Sequence, residues 1–201
     1  VSDEGADGIT FVFSDNVKNK QYNRPGGLMG YDSLTKTVAL EIDMYRNMHL
    51  FDPPNDHVSL QVPINNVLRS SHDGNFSKML RQLSNNIVSD GRKYYTKLNY
   101  LAELKKLEFF LSESESFTTP IISIDNFQFS DYFDLRDGKY IAMALIASTG
   151  EAYQEHIIHR LNVCGTTIPD YTTSVESQDV LHNSDGISII RNNQEIKFEF
   201  E

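Results

Sequence analysis

A length of 201 residues suits one domain built on a single core. With 28 acidic and 18 basic residues the net charge is -10, which excludes nucleic acid as the main partner because phosphate binding needs clustered Lys and Arg. A 39% hydrophobic fraction with 12 Phe and 10 Tyr excludes wholesale disorder, and the absence of any run near ~18 apolar residues excludes a membrane-inserted helix.

Along the chain, apolar residues recur with period two or in short runs broken by Gly, Pro, Asn and Asp. Strands are expected over Ile9 to Phe13, Val38 to Tyr45, His57 to Val62, Tyr94 to Leu98, Leu107 to Leu111, Tyr140 to Ala147 and His156 to Val163. That succession points to an all-β antiparallel sandwich or barrel. One helix is expected over Phe76 to Ile87, where Met79, Leu80, Leu83 and Ile87 share a face. The sole cysteine, Cys164, rules out an intrachain disulfide and leaves the redox compartment open. Thr166 to Asp185 is rich in Ser, Thr and Asp and reads as a linker. Ile187 to Ile190 and Ile196 to Phe200 follow as two strands around the turn Arg191-Asn192-Asn193-Gln194, so the expected division is a domain over 1–165 and a polar linker with a two-strand tail over 166–201.

The segment richest in chemistry is Glu41-Ile42-Asp43-Met44-Tyr45-Arg46-Asn47, followed by Asp52 and His57. On a strand Glu41, Asp43 and Tyr45 share one face and Leu40, Ile42 and Met44 the other. Two carboxylates side by side near a core repel unless a positive charge lies between them. Turn residues between Asp52 and His57 can fold that pair back over the strand end. Oxygen ligands suit calcium, and a single imidazole among carboxylates suits manganese or a similar first-row ion. The bland alternative is a solvated sheet face with a surface histidine. A chemical alternative is a sandwich-fold glycoside hydrolase, in which paired acids present a nucleophile and a further acid supplies the proton. Here Arg46 stands where that proton donor is needed.

These residues, taken with three other segments, resemble the L-type (legume-type) lectin family. Ala6-Asp7-Gly8-Ile9-Thr10-Phe11-Val12-Phe13 is similar to the strand opening that carries the family's sugar-binding aspartate after a cis peptide. Pro25-Gly26-Gly27-Leu28-Met29-Gly30 is similar to its Gly-rich loop, Glu41 to His57 to its metal motif, and Ala147-Ser148-Thr149-Gly150 through His156 to its last binding loop. The resemblance implies a concanavalin-like jelly-roll sandwich that binds glycans or glycoproteins without catalysis and holds adjacent manganese and calcium ions. By residue-wise carry-over, Glu41, Asp43, Asp52 and His57 would hold the manganese ion (Mn2+). Asp43, the carbonyl of Tyr45, Asn47 and Asp52 would hold the calcium ion (Ca2+). Asp7, the Asn47 side chain, the Gly27 amide and the backbone around Glu151 and Ala152 would hydrogen-bond sugar hydroxyls, with the Tyr45 ring against the sugar's C–H face. A lectin-like scaffold that binds protein without sugar activity is the competing reading.

The chain departs from the family in three places. It starts five residues before Ala6-Asp7-Gly8, where the family has several strands; a removed precursor segment, a second chain or the tail would supply them. The Asn65 to Gly91 stretch lacks the family's texture, and there is no tryptophan. The short interval from Gly150 to His156 resembles that of mannose- and glucose-binding members. The resemblance also implies an extracellular, cell-surface or secretory location and allows a homodimer through the back sheets. Asn75-Phe76-Ser77 is an N-glycosylation sequon in a secreted eukaryotic context.

Overall fold

The computed structural model describes residues 5–18, 20–74, 76–84, 91–135, 140–163, 187–191 and 194–200, and side chains up to residue 162. Among the described residues eleven strands run in order: β1 (Gly8–Ser14), β2 (Thr37–Asp43), β3 (His57–Gln61), β4 (Ser77–Gln82), β5 (Tyr94–Leu101), β6 (Lys106–Ser112), β7 (Ile122–Ile124), β8 (Tyr140–Ser148), β9 (Ile158–Val163), β10 (Ile187–Arg191) and β11 (Gln194–Phe200). All pairings are antiparallel, and no α-helix occurs among the described residues. A six-stranded sheet has the order β10-β8-β1-β2-β3-β4, and a five-stranded sheet the order β7-β6-β5-β11-β9. The expected antiparallel β-sandwich therefore forms.

Period-two patterning builds its core. Ile9, Phe11 and Phe13 of β1 and Val38, Leu40 and Ile42 of β2 point into one cluster, where they meet Leu98, Leu107, Phe109, Ile122 and Ile124 of the second sheet. Phe11 packs on Phe109 at 5.8 Å between ring centroids, and Phe13 on Phe129 at 5.0 Å. The outer face of the six-stranded sheet is covered as well. Val12 and Ala39 pack there with Met29, Tyr31, Leu34 and Leu68 from the following loops. This second layer buries Glu41 and Asp43, which share the face of Ala39, at 0% and 2% exposure.

The helix expected over Phe76 to Ile87 is not formed where that segment is described. Ser77–Gln82 is instead edge strand β4, with Met79 opposite Leu60 and Leu80 opposite Ser59 of β3. Over so short a run, apolar residues three and four apart fit a half-exposed strand as well as a helix. Pairing with β3 satisfies backbone groups that would otherwise be open, while Met79 and Leu83 still reach the core. Residues 85–87 of the expected helix lie outside the described residues, as do Asn75, Cys164, the linker over Thr166 to Asp185 and the turn residues Asn192 and Asn193.

The two tail strands part company: β10 pairs with β8 at the end of one sheet, and β11 lies between β5 and β9 in the other. The tail thus contributes a strand to each layer and does not add a hairpin to one of them.

Candidate functional site

The site lies on the outer face of the six-stranded sheet. Alternation on β2 puts Glu41 and Asp43 on that face, and antiparallel register sets His57 of β3 directly opposite Asp43. Asp52 arrives from the loop after β2; its Oδ2 accepts the backbone N–H of Asn47 at 2.5 Å. His72 arrives from the β3–β4 loop, whose backbone is tied to the Met48–Leu50 turn by the His72 N–H to Leu50 O bond at 2.8 Å. Asp43, Asp52, His57 and His72 each present a ligand-type atom within 4.8 Å of the others, and all four are buried.

Glu41 stands beside this group. Its carboxylate accepts the Tyr31 hydroxyl at 2.5 Å and the Gln61 amide at 3.2 Å, and His72 Nε2 lies 3.2 Å away. His57 Nε2 and His72 Nε2 are 2.7 Å apart, His57 Nε2 is 3.7 Å from Asp43, and His72 Nε2 is 3.5 Å from Asp52 Oδ1.

The electrostatics follow mainly from burial, which the nearby Arg46 and His49 offset only in part at Asp52. Burial pushes Glu41 up to about 7, against the opposing hydrogen bonds from Tyr31 and Gln61. Burial and the adjacent Glu41 and Asp52 carboxylates hold Asp43 well above the usual carboxylate range. Burial likewise raises Asp52 to about 6. The imidazoles move the other way: burial lowers His57 to about 3, helped by nearby His72, and lowers His72 to about 4. Acids that resist ionisation, imidazoles that stay neutral and a buried Asp52 Oδ1 with no hydrogen-bond partner among the described residues form a donor set that a divalent cation would fit.

A second set of residues gathers at the rim. The Ala6-Asp7 peptide is cis, as the resemblance implies. Asp7 N–H donates to Ser148 O, and Asp7 O accepts the Met44 N–H, both at 2.8 Å. The Asp7 side chain is buried and bonds to Asn47, yet its Oδ2 has no partner among the described residues; burial raises Asp7 to about 6. Gly27 presses on the Asn47 side chain: a Cβ there would lie 2.7 Å from Oδ1 and closer still to Nδ2. Gly150 approaches the same point, where a Cβ would lie 3.3 Å from Asp7 Oδ2. The Gly-rich loop is tied to the last loop by Gly26 N–H to Thr149 O at 3.1 Å and Ser148 Oγ to Gly26 O at 2.8 Å.

Tyr45 and Asn47 link the two sets. Tyr45 N–H donates to Asp43 Oδ1 at 2.9 Å, and Asn47 Nδ2 donates to Tyr45 O at 3.3 Å. β2 ends at Asp43, so Tyr45 lies beyond the strand expected to contain it. Glu151 is exposed and Ala152 half-buried, with Ala152 O accepting the Gly150 N–H at 3.0 Å.

A family model described as the legume lectin domain matches residues 1–177. The chain belongs to the legume lectin domain family. Among solved structures it is similar to a lectin from Bauhinia forficata in complex with GalNAc, at 14% identity and a TM-score of 0.53, covering 99% of this chain and 67% of that one. Basic winged bean lectin with Tn-antigen gives 17% identity and a TM-score of 0.51, covering 98% of this chain and 64% of that one. Lectin II from Ulex europaeus gives 15% and 0.51, with 98% and 66% covered. This legume lectin domain therefore spans about two thirds of the length of each of those lectins.

Sequence reasoning missed His72 and Tyr31. His72 lies in Ser70-Ser71-His72-Asp73-Gly74, which carries only a turn signal. Tyr31, fully buried, reads along the chain as one more apolar residue.

Proposed function

We propose that this legume lectin domain is a non-catalytic carbohydrate-binding module whose sugar site is ordered by calcium and a transition ion, for which the family resemblance indicates manganese. The observation that carries the reading is the convergence of Asp7, Gly27, Asn47 and Gly150 around a buried carboxylate oxygen that has no partner among the described residues. Such an oxygen is costly to bury empty and suits a sugar hydroxyl donor. Asn47 would add an amide, and the Gly27 N–H and the backbone at Glu151 and Ala152 further polar contacts. Tyr45, half-buried at the rim, would offer its ring to the apolar sugar face.

Glu41, Asp43, Asp52 and His57 would hold the transition ion. Asp43, Tyr45 O, Asn47 and Asp52 would hold calcium, consistent with the hydrogen bonds that already connect these four residues. The ions would supply positive charge that lets the buried carboxylates ionise. Asp43 and Asp52 would then fix the Tyr45–Asn47 backbone, so Asn47 is placed before sugar arrives and less ordering is left to be done on binding.

The sugar is a pyranose of mannose or glucose type, in keeping with the short interval from Gly150 to His156. The lectin unit is 1–165, with 166–201 contributing β10 and β11. The module acts in extracellular or cell-surface recognition or adhesion, with a homodimer or a second chain as its assembly partner. Arg46, exposed and permanently charged, offers no general acid, which weighs against a sandwich glycosidase.

Calorimetric titration with mannose, glucose and N-acetylgalactosamine, before and after chelation, tests the reading. Binding that vanishes on chelation and returns with calcium and manganese is expected. Chelator-resistant binding would overturn the ion-ordered site, and ion uptake without any response on a glycan array would favour the protein-binding scaffold.

A further inference from the structure

The two imidazoles meet nitrogen to nitrogen. His57 and His72 pack edge to face, with ring centroids 4.5 Å apart at 84° and their Nε2 atoms at 2.7 Å. Between two neutral rings only one hydrogen can bridge these nitrogens, and the carboxylates around them supply none when ionised. Nε2 of His72 also faces Glu41 Oε1 at 3.2 Å and Asp52 Oδ1 at 3.5 Å, the latter without a hydrogen-bond partner among the described residues. Nε2 of His57 faces Asp43 Oδ2 at 3.7 Å. Ligand atoms bound at about 2.0–2.1 Å to one ion lie about 2.9–3.3 Å from their neighbours. The shortest separations, from 2.7 to 3.7 Å, bracket that interval, and Asp43, Asp52, His57 and His72 each present a ligand atom within 4.8 Å of the others, so small side-chain shifts would let these four converge on one point with Glu41 beside them.

The surroundings of His72 support ligation through Nε2. Its Nδ1 is 2.9 Å from both Ser77 Oγ and Gln61 Nε2, and Ser77 Oγ donates to Gln61 Oε1 at 3.1 Å. When Nδ1 accepts from Gln61, the hydrogen sits on Nε2 and bridges toward His57. When Nδ1–H donates to Ser77, which passes its own hydrogen to Gln61, the Nε2 lone pair is free for a cation. A hydrogen-bonded far nitrogen of this kind is what orients a metal-bound imidazole. The loop is held in place by the His72 N–H to Leu50 O bond, so the ring does not depend on a bound ion to reach the site.

We propose that His72 is a direct ligand of the transition ion, adding a second imidazole to His57, and that the site consequently favours zinc over manganese. This rests on the ion-ordered site proposed above and refines it. The residue-wise family pattern supplies one histidine; the second comes from the β3–β4 loop. Imidazole suits zinc, whereas manganese is better served by carboxylates and water, so each added nitrogen widens the preference.

The test is zinc and manganese titration of the wild-type protein and of H72Q, with zinc-edge X-ray absorption to count bound imidazoles. Loss of an outer partner alone lowers metal affinity by about 10–100-fold, so zinc affinity is expected to fall at least about 100-fold in H72Q. Manganese affinity should fall less, so that the preference narrows by about tenfold. The zinc-loaded wild type should show two imidazoles and H72Q one. A single imidazole in the wild type, or unchanged zinc affinity in H72Q, would overturn the assignment. The wild-type count decides the matter even if H72Q does not fold. Failure of the wild type to take up any ion is a different result, which would overturn the ion-ordered site itself and this ligand with it.

Discussion

Gly27 lies against the side-chain amide of Asn47 so closely that no side chain can be added there without moving Asn47: a Cβ would stand 2.7 Å from Oδ1. The two positions come from separate loops, one before β2 and one after it, and neither has the other as a sequence neighbour. Gly27→Ala should therefore displace Asn47 and lower monosaccharide affinity by at least about tenfold, or 1.4 kcal/mol. Titration calorimetry on G27A checks this; wild-type affinity would remove Asn47 from the sugar site.

Asp7 presents a buried Oδ2 that no described residue satisfies. Asp7→Asn keeps the size but exchanges an ionic acceptor for a neutral amide, and hydrogen bonds to a charged group contribute about 1.5–3 kcal/mol. A loss of about 10- to 150-fold in sugar affinity is expected, with zinc and manganese titrations little changed because Asp7 stands outside the ligand group. Equal loss of ion binding would instead place Asp7 among the ligands.

Tyr31 is fully buried and donates its hydroxyl to Glu41. Phenylalanine at this position fills the space and leaves Glu41 Oε2 without a donor, which should cost about 1–3 kcal/mol in the ion-free protein. Urea unfolding of Y31F in chelator measures it, and a midpoint equal to wild type would show that the carboxyl finds another partner.

Ion binding should depend on pH with a defined sign. Glu41 is raised to about 7 and Asp52 to about 6, so below neutrality an ion must displace protons from them; Arg46 and His49 face Asp52 and pull it partly down. Asp43 is raised as well, while His57 and His72, lowered to about 3 and about 4, release nothing above pH 5. Affinity should climb from pH 5 to about 7. In the ion-free protein the raised carboxyls contribute stability that is present below their unfolded values of 3.8 and 4.5 and is lost as pH rises through 6 to 7. The lowered imidazoles act oppositely, costing stability below their unfolded value of 6.5 and returning it as pH rises. The measurable consequence is the gap in melting temperature between ion-saturated and chelated protein, which should widen from pH 5 to 7.5. A constant gap would mean that ion binding releases no protons.

Phe109 is the inter-sheet counterpart of Phe11, fully buried and in ring contact with it. Phe109→Ala removes both the apolar burial and the aromatic pair, and should cost about 3–5 kcal/mol. Denaturant unfolding provides the measurement; a loss under about 1 kcal/mol would mean that the sheets close over the cavity.

What the sequence determined by itself was whatever is written in nearest-neighbour periodicity and fixed offsets. Alternation assigned Leu40 and Ile42 to the core and Glu41 and Asp43 to the opposite face, because successive side chains on a strand must point to opposite sides. The offsets from Glu41 to His57 and the Asp7-Gly8 and Gly26-Gly27 segments indicated the family for the same reason, since they are local. Three matters were decided only by tertiary structure. Ser77–Gln82 became a strand because β3 had an edge to satisfy. The face bearing Glu41 and Asp43 became interior because Met29, Tyr31 and Leu68 fold over it. His72 entered the ion group because a backbone bond to Leu50 anchors its loop there. Each depends on groups far apart in the chain, whose meeting is set by backbone pairing and burial and leaves no mark on local spacing.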